Sequence, residues 1–197
     1  MTVEDYERLC QVKNQYLKLY RAPLAFDPST ASADSRALPV DPYFLGLCLG
    51  DGCANSAVIA ASDRETLAWL QSYVDRLNSC RKPGDRELYL TKLLTNPAGT
   101  ELRNGIVCPK VGPGCYSNPV LDGLRKLGLL GDKSGGIPSE YMTADEDTRL
   151  TVIAGVIDSD GCYSKSENTY RFVQMTEGHQ KIVDLKELAL RLLRRRL

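Results

Sequence analysis

The chain has 197 residues, of which 43% are hydrophobic and 25% charged, a composition typical of globular proteins and not of disordered or fibrous chains. Its 25 basic residues balance its 25 acidic residues, so the chain lacks the net positive charge that many nucleic-acid-binding domains carry. No apolar run approaches the roughly 20 residues that span a bilayer, which excludes a helical membrane protein and predicts a soluble one.

The first segment, residues 2–21, has the pattern of an amphipathic helix. Thr2 can cap its start, with acidic residues in the first turn and basic residues in the last. Five apolar residues recur along it at helical spacing, namely Leu9, Val12, Tyr16, Leu19 and Tyr20. Residues 22–42 are rich in proline, serine and alanine, and they predict an irregular connection.

An apolar helix that ends at Asp51-Gly52 begins the main body of the chain. Turn and capping signals divide the sequence that follows it. The predicted elements are, in order, a strand at 56–62, a helix opened by Ser62 and Asp63 that runs to about Asn78, a strand at 87–94, a hairpin over 98–108, a helix at 118–129 with Pro119 near its first turn, and a loop at 131–142.

A second apolar helix ends at Asp160-Gly161, and a strand at 169–176 and a helix opened by Thr176 and Glu177 follow it. The chain thus repeats one arrangement, but only residues 162–197 follow the second Asp-Gly. We therefore expect the second copy to lack its later strands and its last helix. Such a truncation would leave the strand at 169–176 with an unpaired edge, through which two chains could associate.

Both Asp-Gly helices are apolar nearly all round, so each should be buried. Each also has two small residues one turn apart, a spacing that lets two helix backbones approach closely. The small residues are Gly46 and Gly50 in the first helix and Gly155 and Ser159 in the second. We expect Gly52 and Gly161 to adopt the left-handed conformation with which many helices stop.

Parallel packing of these two helices would bring Asp51 and Asp160 together at one end. Two adjacent carboxylates repel each other, so one tends to hold a proton, and a divalent cation removes that cost. Mg²⁺ prefers oxygen ligands and commonly binds one or two carboxylates together with substrate phosphates. The pair is therefore a candidate centre for phosphodiester cleavage by a metal-activated water. The alternative is that each Asp-Gly is an ordinary helix end without a chemical role.

Four stretches carry a resemblance to a known family. The second motif, "IAGVIDSDG" at 153–161, is similar to the signature of the LAGLIDADG homing endonucleases. The first, "FLGLCLGDG" at 44–52, resembles the variant in the intein-encoded, dodecapeptide (DOD-type) class and in the related mating-type-switching endonuclease. "LDGLRKLGLLGDKSGGIP" at 121–138 and the N-terminal "MTVEDYERL" resemble further parts of the intein class, so the resemblance covers most of residues 2–193.

The resemblance implies an α+β fold, an αββαββα-type pseudosymmetric repeat with two saddle-shaped antiparallel sheets, here with a truncated second repeat. Residues 1–42 would form a helix and connector like an intein linker, residues 43–142 the first half and residues 143–197 the incomplete second half. The strands would lie in the major groove of double-stranded DNA. The implied activity is a Mg²⁺-dependent double-strand break at one long asymmetric target site, made by a monomer if the chain is complete.

The resemblance also implies roles for particular residues. Asp51 and Asp160 would be the catalytic, metal-binding aspartates, and the backbone oxygens of Gly50 and Ser159 would help to hold the metal. Lys133 matches a basic residue that activates water or stabilises the transition state, although the insertion of residues 134–136 departs from the usual spacing. The candidates for DNA contacts, by residue type and position, are Lys92, Arg103, Lys110, Lys165, Tyr170, Arg171 and Gln174.

Two alternatives to an active endonuclease stay open: a degenerate relative that binds DNA without cleaving it, and an inert remnant that keeps only the fold. The chain neither begins with a nucleophilic cysteine or serine nor ends in His-Asn, so we expect that it cannot splice by itself. Seven cysteines without a CxxC pair or a secretory signal indicate reduced thiols in an intracellular protein of the nucleus or cytoplasm.

Overall fold

The computed structural model describes residues 38–53, 55–61, 63–94, 102–108, 117–132, 136–172 and 183–185. Over these residues the chain is an α+β protein with two small antiparallel sheets, as the sequence predicts at this level. The predicted helix at 2–21, nearly all of the connector and most of the helix opened by Thr176 and Glu177 lie outside the described residues. None of the described helices has both the length and the apolar character needed to cross a membrane.

Two well-capped helices form the centre of the fold. Helix α1 spans Pro42–Asp51, and the Asp41 side chain caps it by accepting hydrogen bonds from the N–H groups of its first turn. Helix α5 spans Glu146–Asp160, and the Asp145 side chain accepts the N–H of Thr148 at 2.9 Å. Because that hydrogen bond favours the charged carboxylate, it lowers the pKa of Asp145.

The two helices pack in parallel with their backbones in direct contact. A β-carbon added to Gly46 would lie 2.8 Å from the Cα of Gly155, and one added to Gly155 would lie 3.0 Å from the Cα of Gly46. One turn further along both helices, a β-carbon on Gly50 would lie 2.8 Å from the Cβ of Ser159. The packing of these small residues, which the sequence predicts, is therefore confirmed.

The larger sheet covers one side of these helices. Its strands are β1 (Val58–Ile59), β2 (Tyr89–Leu94) and β3 (Leu102–Val107), in the order β1-β3-β2, and each pair is antiparallel. Helix α2 (Arg64–Ser79) follows β1, and helix α3 (Pro119–Lys126) follows β3. The Asn118 side chain both caps α3 and donates to the carbonyl of Ile106 at 2.9 Å, which ties that helix to the sheet.

Strand β1 is shorter than the predicted strand at 56–62 because its flanks bond elsewhere. The N–H of Ala60 donates to the carbonyl of Asp51 at 3.0 Å, and the N–H of Cys53 donates to the carbonyl of Val58 at 2.8 Å. The segment therefore folds back on the end of α1, and this contact holds the sheet close to Asp51.

The smaller sheet is a hairpin of β4 (Gly161–Ser164) and β5 (Thr169–Phe172). The sequence predicts a single strand at 169–176 and no strand at 161–164, so the prediction is wrong in this respect. Strand β4 begins at Gly161, immediately after the last residue of α5. No turn residues therefore separate the helix from the strand.

The short helix α4 (Ser139–Met142) lies within the stretch that the sequence analysis assigns to a loop at 131–142, which is a second correction. Its Tyr141 is fully buried, and the hydroxyl donates to the carbonyl of Val40 at 2.7 Å and accepts the N–H of Val40 at 3.1 Å. These contacts join the segment before α1 to the segment before α5.

The two glycines that end α1 and α5 do not adopt the predicted left-handed conformation. Gly52 has φ −77° and Gly161 has φ −93°, and both are extended. Each residue passes directly from a helix into β-structure, which requires extended backbone. A β-carbon on Gly161 would still lie 2.8 Å from the Cα of Ile157, so close packing is the reason for glycine at that position.

We expect Gly155→Ala to lower the free energy of unfolding by about 2 kcal/mol, because the added methyl group forces the two backbones apart. Helix propensity alone would give the opposite sign, a gain of about 1 kcal/mol. Urea unfolding measures the change. The matched control is Ala154→Gly at the exposed neighbouring position of α5, which should lose only about 1 kcal/mol. A Gly155→Ala variant more stable than the parent would contradict the close contact.

Candidate functional site

The ends of α1 and α5 bring two carboxylates together. Asp51 and Asp160 are the last residues of the two parallel helices, and each follows directly on the contact between Gly50 and Ser159. A β-carbon on Gly50 would lie 3.2 Å from the carboxyl carbon of Asp160, so this carboxyl group lies against the last turn of α1. The structure thus places both aspartates at one end of the helix pair, where the predicted parallel packing requires them.

Burial and the nearby Asp160 change how Asp51 titrates. Partial burial, the charge of Asp160 and a hydrogen bond with its carboxyl group raise the pKa of Asp51 from 3.8 to about 6. A proton shared between the two groups relieves their repulsion below that pH. At neutral pH the Asp51 carboxylate is largely ionised, and a cation at the pair would relieve its repulsion with Asp160.

A polar cleft of about 140 Å³ opens beside Asp51. Its polar walls come from Asp51, Asp158 and Ser159 together with Asp63 and Thr66 at the start of α2. Asp63 also caps α2, since its carboxylate accepts the N–H of Thr66 at 2.7 Å. The cleft is large enough for several waters or a hydrated cation.

The ligands available at the carboxylate pair fit Mg²⁺. The last carbonyl oxygens of a helix have no partner within that helix, and those of Gly50 and Ser159 belong to the last turns of α1 and α5. Among the described residues, no group of three or more His, Cys, Asp or Glu side chains is arranged to hold a metal. A metal here would therefore depend on two carboxylates, backbone oxygens, water and substrate phosphate, which is a typical set for Mg²⁺.

The candidate DNA-binding residues are distributed over both sheets. Lys92 is exposed on β2, and Arg103 lies on β3 opposite Leu93. Lys165 is exposed in the turn between β4 and β5, and Tyr170 on β5 is 68% exposed. Lys133, Lys110 and Gln174 lie outside the described residues.

Arg171 on β5 is exposed but is paired with an acid. Its guanidinium group donates to the Glu167 carboxylate at 2.6 Å. The ring of Tyr170 packs on that of Tyr163, with 5.0 Å between the ring centroids. On this hairpin, Lys165 and Tyr170 are exposed, whereas the charge of Arg171 is paired with Glu167.

The sequence does not mark Asp158 or Tyr43 as site residues and marks Asp63 only as a helix start. Asp63 and Asp158 nevertheless line the cleft beside Asp51, and Tyr43 bonds to Asp158. Asp158 is part of the "IDSDG" motif and could have been considered for that reason. Tyr43 and Asp63 lack such a signal, because their position near the site depends on how α1 and α2 pack. No protein-family model matches the sequence, so membership of the LAGLIDADG family stays a prediction.

We expect the wild-type protein to become less stable as the pH rises, because Asp51 ionises. The Asn side chain of Asp51→Asn cannot ionise, so the variant should not show this decrease. The pKa of Asp51 is about 6 in the folded protein, above the 3.8 of a free side chain, so the folded state binds the proton more tightly. This contribution to stability is complete below about pH 4 and is lost as the pH rises through 6. Urea midpoints at pH 5 and pH 7.5 should therefore differ less in the variant than in the wild type.

Asp75→Asn is the control, since Asp75 is an exposed carboxylate on α2 that bonds only locally to Gln71 among the described contacts. It should leave the difference between the two midpoints unchanged. An Asp51→Asn variant with the same pH dependence as the wild type would show that the pKa of Asp51 is not raised in the folded protein.

Proposed function

We propose that this chain is a site-specific DNA endonuclease of the LAGLIDADG homing type, derived from an intein, that cleaves both strands by Mg²⁺-dependent phosphodiester hydrolysis. The observation that carries the proposal is the parallel contact of two helices whose last residues, Asp51 and Asp160, lie side by side, with the carboxyl of Asp160 against the last turn of α1. A structural role alone gives no reason to hold two carboxylates together against their repulsion.

The connection of each helix to a sheet supports the same proposal. Helix α1 meets the larger sheet through the bridge between Gly52 and Ile59, and α5 continues without a loop into β4. Each aspartate therefore lies at a junction between a helix and a sheet. A two-stranded ribbon fits the major groove, so a duplex bound along both sheets would pass the carboxylate pair.

Each residue of the site would have its own role. Asp51 and Asp160 would hold Mg²⁺, with the backbone oxygens of Gly50 and Ser159 as further ligands. When bound, the metal supplies an activated water and stabilises the oxygen that leaves the phosphorus. Asp51 must lose its proton to act as a ligand, so metal binding and cleavage should increase as the pH rises through about 6.

The DNA would be held by the exposed basic and aromatic side chains of the sheets. Lys92 lies on the larger sheet and Lys165 on the hairpin. Both would contact phosphates, which position the duplex without reading its sequence. The net charge of zero does not oppose this role, because a net charge does not say where the charges lie on the surface.

The test of cleavage is a selection from a randomised duplex library with Mg²⁺, in which newly formed DNA ends are captured and sequenced. We expect the wild-type chain to enrich one long asymmetric site. Asp51→Asn and Asp160→Asn should each reduce the cleaved product at least about 100-fold while binding to the selected duplex persists. Asp75→Asn, which removes the same charge from the surface of α2, should cleave normally.

Two other results would replace this proposal. A wild-type chain that binds duplex DNA but produces no enriched ends is a binding protein that does not cleave. A chain that neither binds nor cleaves is a remnant in which the aspartates have no chemical role.

We expect DNA binding to weaken steeply with salt, because phosphate contacts release condensed cations. Lys92→Gln and Lys165→Gln should each reduce the slope of log K against log salt by about 0.9. Arg171→Gln should change it less, since Glu167 already neutralises that side chain. Filter binding at several salt concentrations measures the slope.

Lys126→Gln is the control for these variants, because Lys126 is exposed at the end of α3 and is not on a strand. It should leave the slope unchanged. Affinity that does not vary with salt would exclude a phosphate-binding role for both sheets.

A further inference from the structure

A hydrogen bond crosses between the two central helices beside the carboxylate pair. The hydroxyl of Tyr43, in the first turn of α1, donates to the Asp158 carboxylate near the end of α5 at 2.6 Å. The Tyr43 ring also packs on Trp69 of α2, with 4.5 Å between centroids. Three helices thus meet at one tyrosine.

The positions on the opposite side of the helix pair that correspond to Tyr43 and Asp158 are apolar. Counted back from the two aspartates, Tyr43 corresponds to Val152 in α5, and Asp158 corresponds to Leu49 in α1. Leu49 and Val152 are at most 1% exposed and belong to the core. The Tyr43–Asp158 side borders the open cleft, where Asp158 is exposed.

The contact between glycines fixes how closely α1 and α5 approach. A slide of one residue moves a helix by about 1.5 Å, which would separate the carboxyls of Asp51 and Asp160. Their repulsion favours such a movement. A short, directional hydrogen bond between the helices opposes it.

We propose that Tyr43 and Asp158 are positioning residues that hold the Asp51 and Asp160 carboxyls together, and that this is their contribution to the endonuclease function proposed above. Burial and the hydrogen bond to Asp158 raise the pKa of Tyr43 above its usual range, so the hydroxyl stays a donor under all conditions used below. Neither residue is proposed to contact the metal or the DNA.

The first experiment measures position through stability and needs neither metal nor DNA. At pH 8, Asp160→Asn should raise the urea midpoint of the wild type, because it removes the repulsion with Asp51. In a Tyr43→Phe background, where the carboxyls can separate, we expect less than half of that rise. Mutations that act independently are additive, so a purely structural role for Tyr43 predicts the full rise.

Tyr141→Phe is the matched control. It removes a buried tyrosine hydroxyl that bonds to Val40, before α1 and remote from the aspartates. It should lower the midpoint but preserve the full effect of Asp160→Asn. An equal rise in the Tyr43→Phe and Tyr141→Phe backgrounds would overturn the proposal.

Two substitutions at Asp158 distinguish the effect of its hydrogen bond from the effect of its charge. Because Asp158 is exposed, neither substitution removes a buried side chain. Asp158→Asn keeps an oxygen that accepts from Tyr43, so it should preserve the full effect of Asp160→Asn. Asp158→Ala should reduce that effect as Tyr43→Phe does. If Asp158→Asn reduces it equally, the charge and not the hydrogen bond is responsible, and the proposal is wrong.

The second experiment titrates the protein with Mn²⁺, a spectroscopically visible substitute for Mg²⁺, and measures free Mn²⁺ by electron paramagnetic resonance. Asp158→Ala should weaken Mn²⁺ binding about tenfold, which is a typical effect of losing a residue that orients metal ligands. The Mn²⁺ affinity of Asp158→Asn should stay close to that of the wild type. A wild-type protein that binds no Mn²⁺ would refute the proposed function. The stability experiment would still decide whether Tyr43 and Asp158 position the carboxyls.

Discussion

The contact between Gly46 and Gly155 is the constraint on which the rest of the structure depends. Backbone meets backbone there, and a side chain on either residue would overlap the partner helix. Helices α1 and α5 therefore run side by side in parallel, and their last residues come to the same place. Since each helix leads directly into a different sheet, the contact also fixes where the two sheets lie relative to the aspartates.

This arrangement places the Asp51 carboxyl, next to Asp160, where its ionised form is less stable than in water. Burial and mutual repulsion raise the pKa of Asp51, which means that the ionised pair opposes the folded state at neutral pH. The surrounding core supplies the compensation, since the residues from Phe44 to Leu49 are all buried and Tyr141 binds the chain just before α1. Proteins commonly keep such local conflicts at sites of function, where a ligand resolves them.

Local signals in the sequence predicted most of the helices and their ends. Asp63 caps α2, and Pro119 begins α3 after the capping Asn118, because these effects depend on residues within one turn. The sequence does not predict helix α4, because four residues are too few to show a periodic pattern. Its Tyr141 is held by Val40, 101 residues earlier in the chain. The sequence does not predict strand β4, because no turn residue separates it from α5.

The sequence by itself determined which helices pair and which aspartates they carry, because small residues one turn apart and an acid at the helix end are features of a single segment. Only the tertiary structure decided that Tyr43 bonds to Asp158, that Asp63 faces the cleft and that Glu167 neutralises Arg171. It also decided that Gly52 and Gly161 are extended, since each enters β-structure directly. The physical reason is that helical periodicity is encoded within a few turns, whereas a contact between segments depends on how the whole core packs.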